Sequence, residues 1–204
     1  MNKERVVELI TELLVELGED PHREGLKNTP QRVADLYEEV LSGYHANSEL
    51  DVAFNEKSDF VMHRDIPFYS LCEHHLLPFF GKVHIAYQPN TRVVGISKLS
   101  RLVEKYARRL QLQERMTDQI ADELHETGVR GVLVVVEADH LCLRMRGVRG
   151  NGMTVTSEAR GSFAESEVKT RLFDLMLDVK NRTNAISHGT SDYSLIPVDQ
   201  TIAR

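Results

Sequence analysis

At 204 residues, with 41% hydrophobic and 27% charged side chains, the chain has an ordinary globular composition and can bury its own core. Its formal net charge of -6 excludes recruitment of nucleic acid or acidic lipid by a bulk basic field, so an anionic ligand needs a local basic cluster. No apolar run approaches the roughly 20 residues that cross a bilayer, and the opening residues lack a signal-peptide core. With only two cysteines, these features point to a reducing, cytoplasmic setting and to no membrane or nucleic-acid partner.

In chain order, Val6, Val7, Ile10, Leu13, Leu14 and Leu17 recur at helical spacing until Gly18. Thr29 as N-cap, with Pro30 behind it, opens a second helix whose apolar face is Val33, Leu36, Tyr37, Val40 and Leu41, with Gly43 as its stop. This helical pair sets off an N-terminal region, residues 1–48. From Phe60 the periodicity changes, and residues 83–87 and 93–96 read as strands about a Pro89-Asn90 turn. A helix opened by Ser97 turns Leu99, Leu102, Val103, Tyr106 and Leu110 inward, and another spans residues 114–127 before Gly128. Residues 129–137 are apolar and β-branched, as in a buried strand. Beyond them Leu141, Leu143 and Met145 alternate with His140, Cys142, Arg144 and Arg146, which predicts a strand with one apolar and one chemically active face. Residues 153–163 read as extended, 168–179 as a closing helix, and 184–204 as a loosely ordered polar tail. The order of elements is that of an α+β protein, with residues 49–183 as its catalytic unit.

The chemistry concentrates in Cys72-Glu73-His74-His75. Cys72 and His75 have a spacing that lets both reach one tetrahedral metal, and Cys142 is the only other cysteine. Three protein ligands leave one position open, as in catalytic zinc, where a bound water titrates near roughly 7. The competing reading is a pair of buried reduced thiols, and spacing alone leaves the two readings even. His74 and His140 adjoin the proposed ligands and are candidates either for proton transfer or for orienting a ligand. His63 and His84 lack such neighbours and read as ordinary strand or surface residues. Ser97, Lys98 and Arg101 open a helix, where free N–H groups and the dipole favour an anion. Arg144 and Arg146, on the face of Cys142, could reach the same phosphate. Gln113-Glu114-Arg115 at a helix start reads by itself as favourable capping.

Together these stretches resemble the GTP cyclohydrolase I family. The resemblance is carried by Gly18-Glu19-Asp20-Pro21, Arg23-Glu24-Gly25-Leu26, Thr29-Pro30-Gln31-Arg32-Val33-Ala34 and Cys72-Glu73-His74-His75-Leu76-Leu77-Pro78-Phe79. It continues through Gly95-Ile96-Ser97-Lys98-Leu99, the run from Arg109 to Arg115, and His140-Leu141-Cys142 leading to Arg146-Gly147-Val148. It implies the tunnelling fold (T-fold), an antiparallel sheet with helices on one face, assembled as a toroidal homodecamer with sites between subunits. It also implies one Zn2+ per subunit on Cys72, His75 and Cys142, and proton transfer by His74 and His140. Glu114, with Gln113, would recognise the guanine edge, and Ser97, Lys98, Arg101 and Arg146 would grip the triphosphate of GTP. The implied reaction opens the guanine ring at C8, releases formate, and rearranges the ribose to give 7,8-dihydroneopterin triphosphate for pterin and tetrahydrofolate synthesis. Two other readings stay open at this point: an enzyme that stops after ring opening, and a zinc-holding scaffold without turnover.

Overall fold

The computed structural model describes residues 1–46, 50 and 52–177. Helices α1 (Lys3–Glu16) and α2 (Thr29–Val40) precede strands β1 (Val52–Phe54), β2 (Val61–Cys72), β3 (Pro78–Gln88) and β4 (Val93–Val94). Then follow α3 (Ile96–Ala107), β5 (Leu110–Gln111), α4 (Gln113–Glu126), β6 (Gly131–His140), the single helical turn α5 (Leu141–Arg144), β7 (Thr154–Gly161) and α6 (Ser166–Leu177). One sheet runs in the order β5-β2-β3-β6-β7, and β1 pairs separately with β4. All neighbours in the large sheet are antiparallel except β5, which joins β2 in parallel at Leu71↔Leu110 and Cys72↔Gln111.

Residues 83–87 and 132–136 are apolar without alternation, His84 apart, because both faces of the central strands are covered. On one face Val83, Ile85, Tyr87, Val132, Val134 and Val136 pack against Leu99, Leu102 and Val103 of α3 and Met116, Ile120 and Leu124 of α4. The last three recur every fourth residue, so α4 offers one stripe to the sheet, and full burial of each is worth about 1.5–3 kcal/mol. The long helices α3 and α4 thus share a face. The closing helix adds a second layer on the other, where Ala86, Leu133 and Val135 meet Phe163, Leu172, Met176 and Leu177. At the N-terminus α1 lies on α2, with Lys3 bridging Asp35 (2.8 Å) and Glu38 (2.7 Å). None of the residues of α1 is buried, and Leu9, Leu13 and Leu17 are exposed.

Three expectations need correction, and one strand, β2, was not foreseen. Residues 140–146 are not a strand: β6 ends at His140, which pairs with Phe79, one residue from the start of β3. Past that point β6 has no partner, so its backbone bonds itself in a helical turn, Met145 N–H to Leu141 O at 3.0 Å. β2 was hidden, because Pro67 and the bulge between His63 and Ile66 interrupt a strand whose Ile66, Phe68 and Ser70 point inward. Thr29 does not cap α2 but is its first residue, after Asn28. His84 is no ordinary residue: at 1% exposure it accepts from Asp65 N–H at Nδ1 (3.3 Å) and places Nε2 3.2 Å from Glu137 Oε1. Residues 178–179 of the expected closing helix and the tail 184–204 lie outside the described residues. Among the described residues no helix is long and apolar enough to cross a membrane.

Candidate metal centre and active site

Cys72 is the last residue of β2, and the pair Leu71↔Pro78 closes the β2–β3 hairpin around it. The connecting turn folds back on Cys72, whose N–H donates to Leu77 O (2.9 Å) and whose carbonyl accepts from Leu76 N–H (2.8 Å). Leu76 takes a left-handed φ of 54°, a conformation that costs a non-glycine residue about 1–3 kcal/mol and persists where surroundings impose it. The result brings His75 Nδ1 to 4.0 Å from Cys72 Sγ. Cys142 arrives from the helical turn after β6, and the ligand atoms of Cys72, His75 and Cys142 all lie within 4.8 Å of one another.

This donor set fits a divalent metal. Bond lengths of about 2.0–2.3 Å place tetrahedral ligand atoms roughly 3.4–3.8 Å apart, so a small contraction of the cluster suffices. Burial, and then the neighbouring Cys72 sulfur, push the Cys142 thiol above its ordinary range. The Cys142 thiol therefore resists ionisation in such a place, and a cation would supply the missing counter-charge.

Groups around the cluster hold it in place. Glu73 receives a two-pronged bond from Arg115, Nη1 to Oε2 at 2.6 Å and Nη2 to Oε1 at 3.2 Å, which ties the metal turn to the start of α4. That guanidinium holds the Glu73 carboxyl below the usual carboxylate range. Arg146 Nη1 lies 2.7 Å from His75 Nε2. His140, at the end of β6, stacks on Phe79 with ring centroids 4.8 Å apart and planes 3° apart, and its Nε2 is 2.8 Å from Gln113 Oε1. Burial lowers the pKa of His140, an effect that the carboxylates of Glu114 and Asp139 partly oppose. Gln113 is buried at the start of α4, whereas Glu114 beside it is exposed.

His74 is exposed, its ring edge-on to His75 at 6.2 Å. Arg144 does not join Arg146, since its Nε pairs with Asp139 Oδ1 at 2.5 Å. Ser97, Lys98 and Arg101 stand at the start of α3, whose N-terminus has no side-chain cap. Ser97 and Arg101 are exposed and Lys98 is half-buried. No hydrogen bond or ion pair among the described residues links Ser97 or Arg101 to the cysteine–histidine cluster. Within one chain, then, the metal candidates, His140, Gln113 and Arg146 come together.

The profile of the family described as GTP cyclohydrolase I matches residues 6–177, which include every one of these residues. The chain belongs to the GTP cyclohydrolase I family. It is 51% identical over 168 residues to GTP cyclohydrolase 1 of Hyperthermus butylicus, covering 82% of this chain and 86% of that one. To the Finegoldia magna protein of the same name it is 50% identical over 182 residues, covering 86% and 99% of the two chains. For the Campylobacter lari one the figures are 53% over 175 residues, covering 83% and 92%.

Several residues around this candidate site escaped the reading of the sequence. Phe79 stacks on His140, Arg115 holds Glu73, and the hydroxyls of Thr117 and Thr156 bond each other and Gln113, yet each is an ordinary core, surface or strand residue by type. Glu73 alone carried a signal, as a carboxylate between two candidate ligands that no metal role had used.

Proposed function

We propose that the chain hydrolyses the guanine ring of GTP and converts the product to 7,8-dihydroneopterin triphosphate with release of formate, opening pterin and tetrahydrofolate synthesis. The observation that carries this is the convergence of Cys72, His75 and Cys142 beside His140, in a chain matched to the family over residues 6–177. Cys72, His75 and Cys142 would hold one Zn2+ per subunit, since two thiolates and an imidazole suit that ion. Bound there, the metal supplies Lewis acidity and an activated water for the hydrolytic step.

The chain's own groups then have distinct tasks. His140, whose burial keeps it unprotonated near neutral pH, takes a proton as the ring opens. His74, exposed on the metal turn, returns protons to departing atoms. The Glu114 carboxylate, exposed at the start of α4, accepts from the guanine ring N–H and amino hydrogens. Arg146, with Ser97, Lys98 and Arg101, grips the triphosphate, and the uncapped N–H groups of α3 add to that attraction.

The exposed apolar residues of α1 support a homo-oligomer, the toroidal homodecamer that the resemblance implies, with sites completed between subunits. Residues 1–48 would serve as a helical packing region, 49–183 as the catalytic unit and 184–204 as a tail. Two free cysteines at a metal site fit a cytoplasmic protein. Incubating metal-analysed protein with GTP, and following formate together with a fluorescent pterin after oxidation, tests the reading. An opened pyrimidine alone, or no turnover by metal-loaded protein, would refute it.

A further inference from the structure

Gln113 stands next to the exposed Glu114 in sequence, but its side chain faces the opposite way. It is 2% exposed, and every polar atom of its amide has a partner inside the protein. Nε2 lies 3.0 Å from Val136 O, 3.1 Å from Thr154 O and 3.2 Å from Thr156 Oγ1. Thr117 donates its hydroxyl hydrogen to Gln113 O at 2.7 Å, so the Thr156 hydroxyl, 2.6 Å from Thr117 Oγ1, donates to Thr117 and accepts from Gln113. Two of the three neighbours of Nε2 are backbone carbonyls, which cannot donate. Turning the amide over would set its oxygen against both, so only one orientation satisfies the site.

That orientation decides the state of a second residue. Oε1 of Gln113 can only accept, and the atom 2.8 Å from it is Nε2 of His140. Nε2 must therefore carry the hydrogen. A neutral imidazole has one N–H, so Nδ1 is left with the lone pair. The parallel stack on Phe79 holds the ring plane, which completes the placement.

We propose that Gln113 is a positioning residue for the hydrolysis: it locks His140 as the Nε2–H tautomer and presents Nδ1 as the ring atom open to the substrate. The guanine edge is left to Glu114. Thr156 and Thr117 form the outer layer that fixes the amide. This rests on the proposed role of His140 in GTP hydrolysis.

A double-mutant cycle on the metal-loaded full chain tests it, reading kcat, KM for GTP and metal content. Gln113→Met keeps the volume but removes the bond. It should lower kcat by roughly 100-fold, less than the about 10⁴ lost when a triad histidine is held in the wrong tautomer, because here the ring is only released. KM and metal content should stay as in the wild type, and in a His140→Ala background Gln113→Met should do nothing further. Thr156→Val, which leaves the amide in place, should give a smaller kcat loss that also vanishes with His140→Ala, and it serves if Gln113→Met does not fold. A raised KM with kcat intact, or losses that multiply in the double variant, would overturn the proposal while leaving GTP hydrolysis standing. Full turnover by His140→Ala would overturn both it and the role of His140.

Discussion

Adding a single methyl group at Gly81 should damage the sheet beneath the site. An ideal Cβ there would sit 1.9 Å from Glu137 O and 2.9 Å from both Ala138 Cα and Glu137 C, all backbone atoms of β6. Carbon–oxygen contacts are comfortable from about 3.3 Å, so β3 and β6 must part by about 1.4 Å at this pair. Ladder hydrogen bonds beside Gly81↔Ala138 cannot survive that, each worth about 1 kcal/mol net, and the packing of Val83 against Val136 opens below them. The expected cost of Gly81→Ala is therefore about 2–4 kcal/mol, or a fall in Tm of roughly 5–15 °C for a chain of this size. Because Phe79, two residues away, carries the His140 ring, kcat should fall as well. Thermal unfolding by circular dichroism and formate release read the two effects. A Tm within about 1 °C of the wild type would show that the strands are not held as close as the geometry requires.

Cys142→Ser should lose metal and turnover together while keeping the fold; full activity in metal-free Cys142→Ser would remove Cys142 from the site. Arg115→Ala frees the metal turn from α4 and should weaken metal affinity by about 10- to 100-fold, with little change in stability, as outer partners of ligands commonly do. Chelator competition measures it, and an unchanged affinity would dismiss Glu73–Arg115 as a support. Burial lowers the pKa of His140 in the folded protein, so as pH falls through about 6.5 the unfolded chain takes up a proton first. Stability of metal-free protein from this residue is thus present above that pH and declines below it, down to the folded pKa. Urea midpoints against pH should slope less in His140→Asn, and equal slopes would contradict the sign.

How much could be read in advance depended on whether a residue's position follows from its neighbours in sequence. α4 was legible because Met116, Ile120 and Leu124 repeat at helical spacing and Gly128 stops them. β6 was legible as a run of valines. The fate of His140 to Arg146 was not, since their alternation suits a strand and only the point where β3 begins denies them a partner. The ligand trio could be suspected from the short Cys72–His75 spacing. Its closure by Cys142 depended on the strand order β2-β3-β6, which no local pattern encodes. The task of Gln113 was least accessible, because its partners are the carbonyls of Val136 and Thr154, and a carbonyl has no residue type.

That strand order gives the metal a second effect. β2 and β6 are not paired with each other; β3 lies between them, and a metal held by Cys72 and Cys142 would join the end of one to the turn that follows the other. It would staple positions 70 residues apart (142 − 72), and a cross-link of that span removes chain entropy worth about 4 kcal/mol from the unfolded state. Metal supply would then govern how long the protein survives as well as how fast it works. Starved of the ion, such a chain becomes a better substrate for proteases at the same moment that it stops being an enzyme.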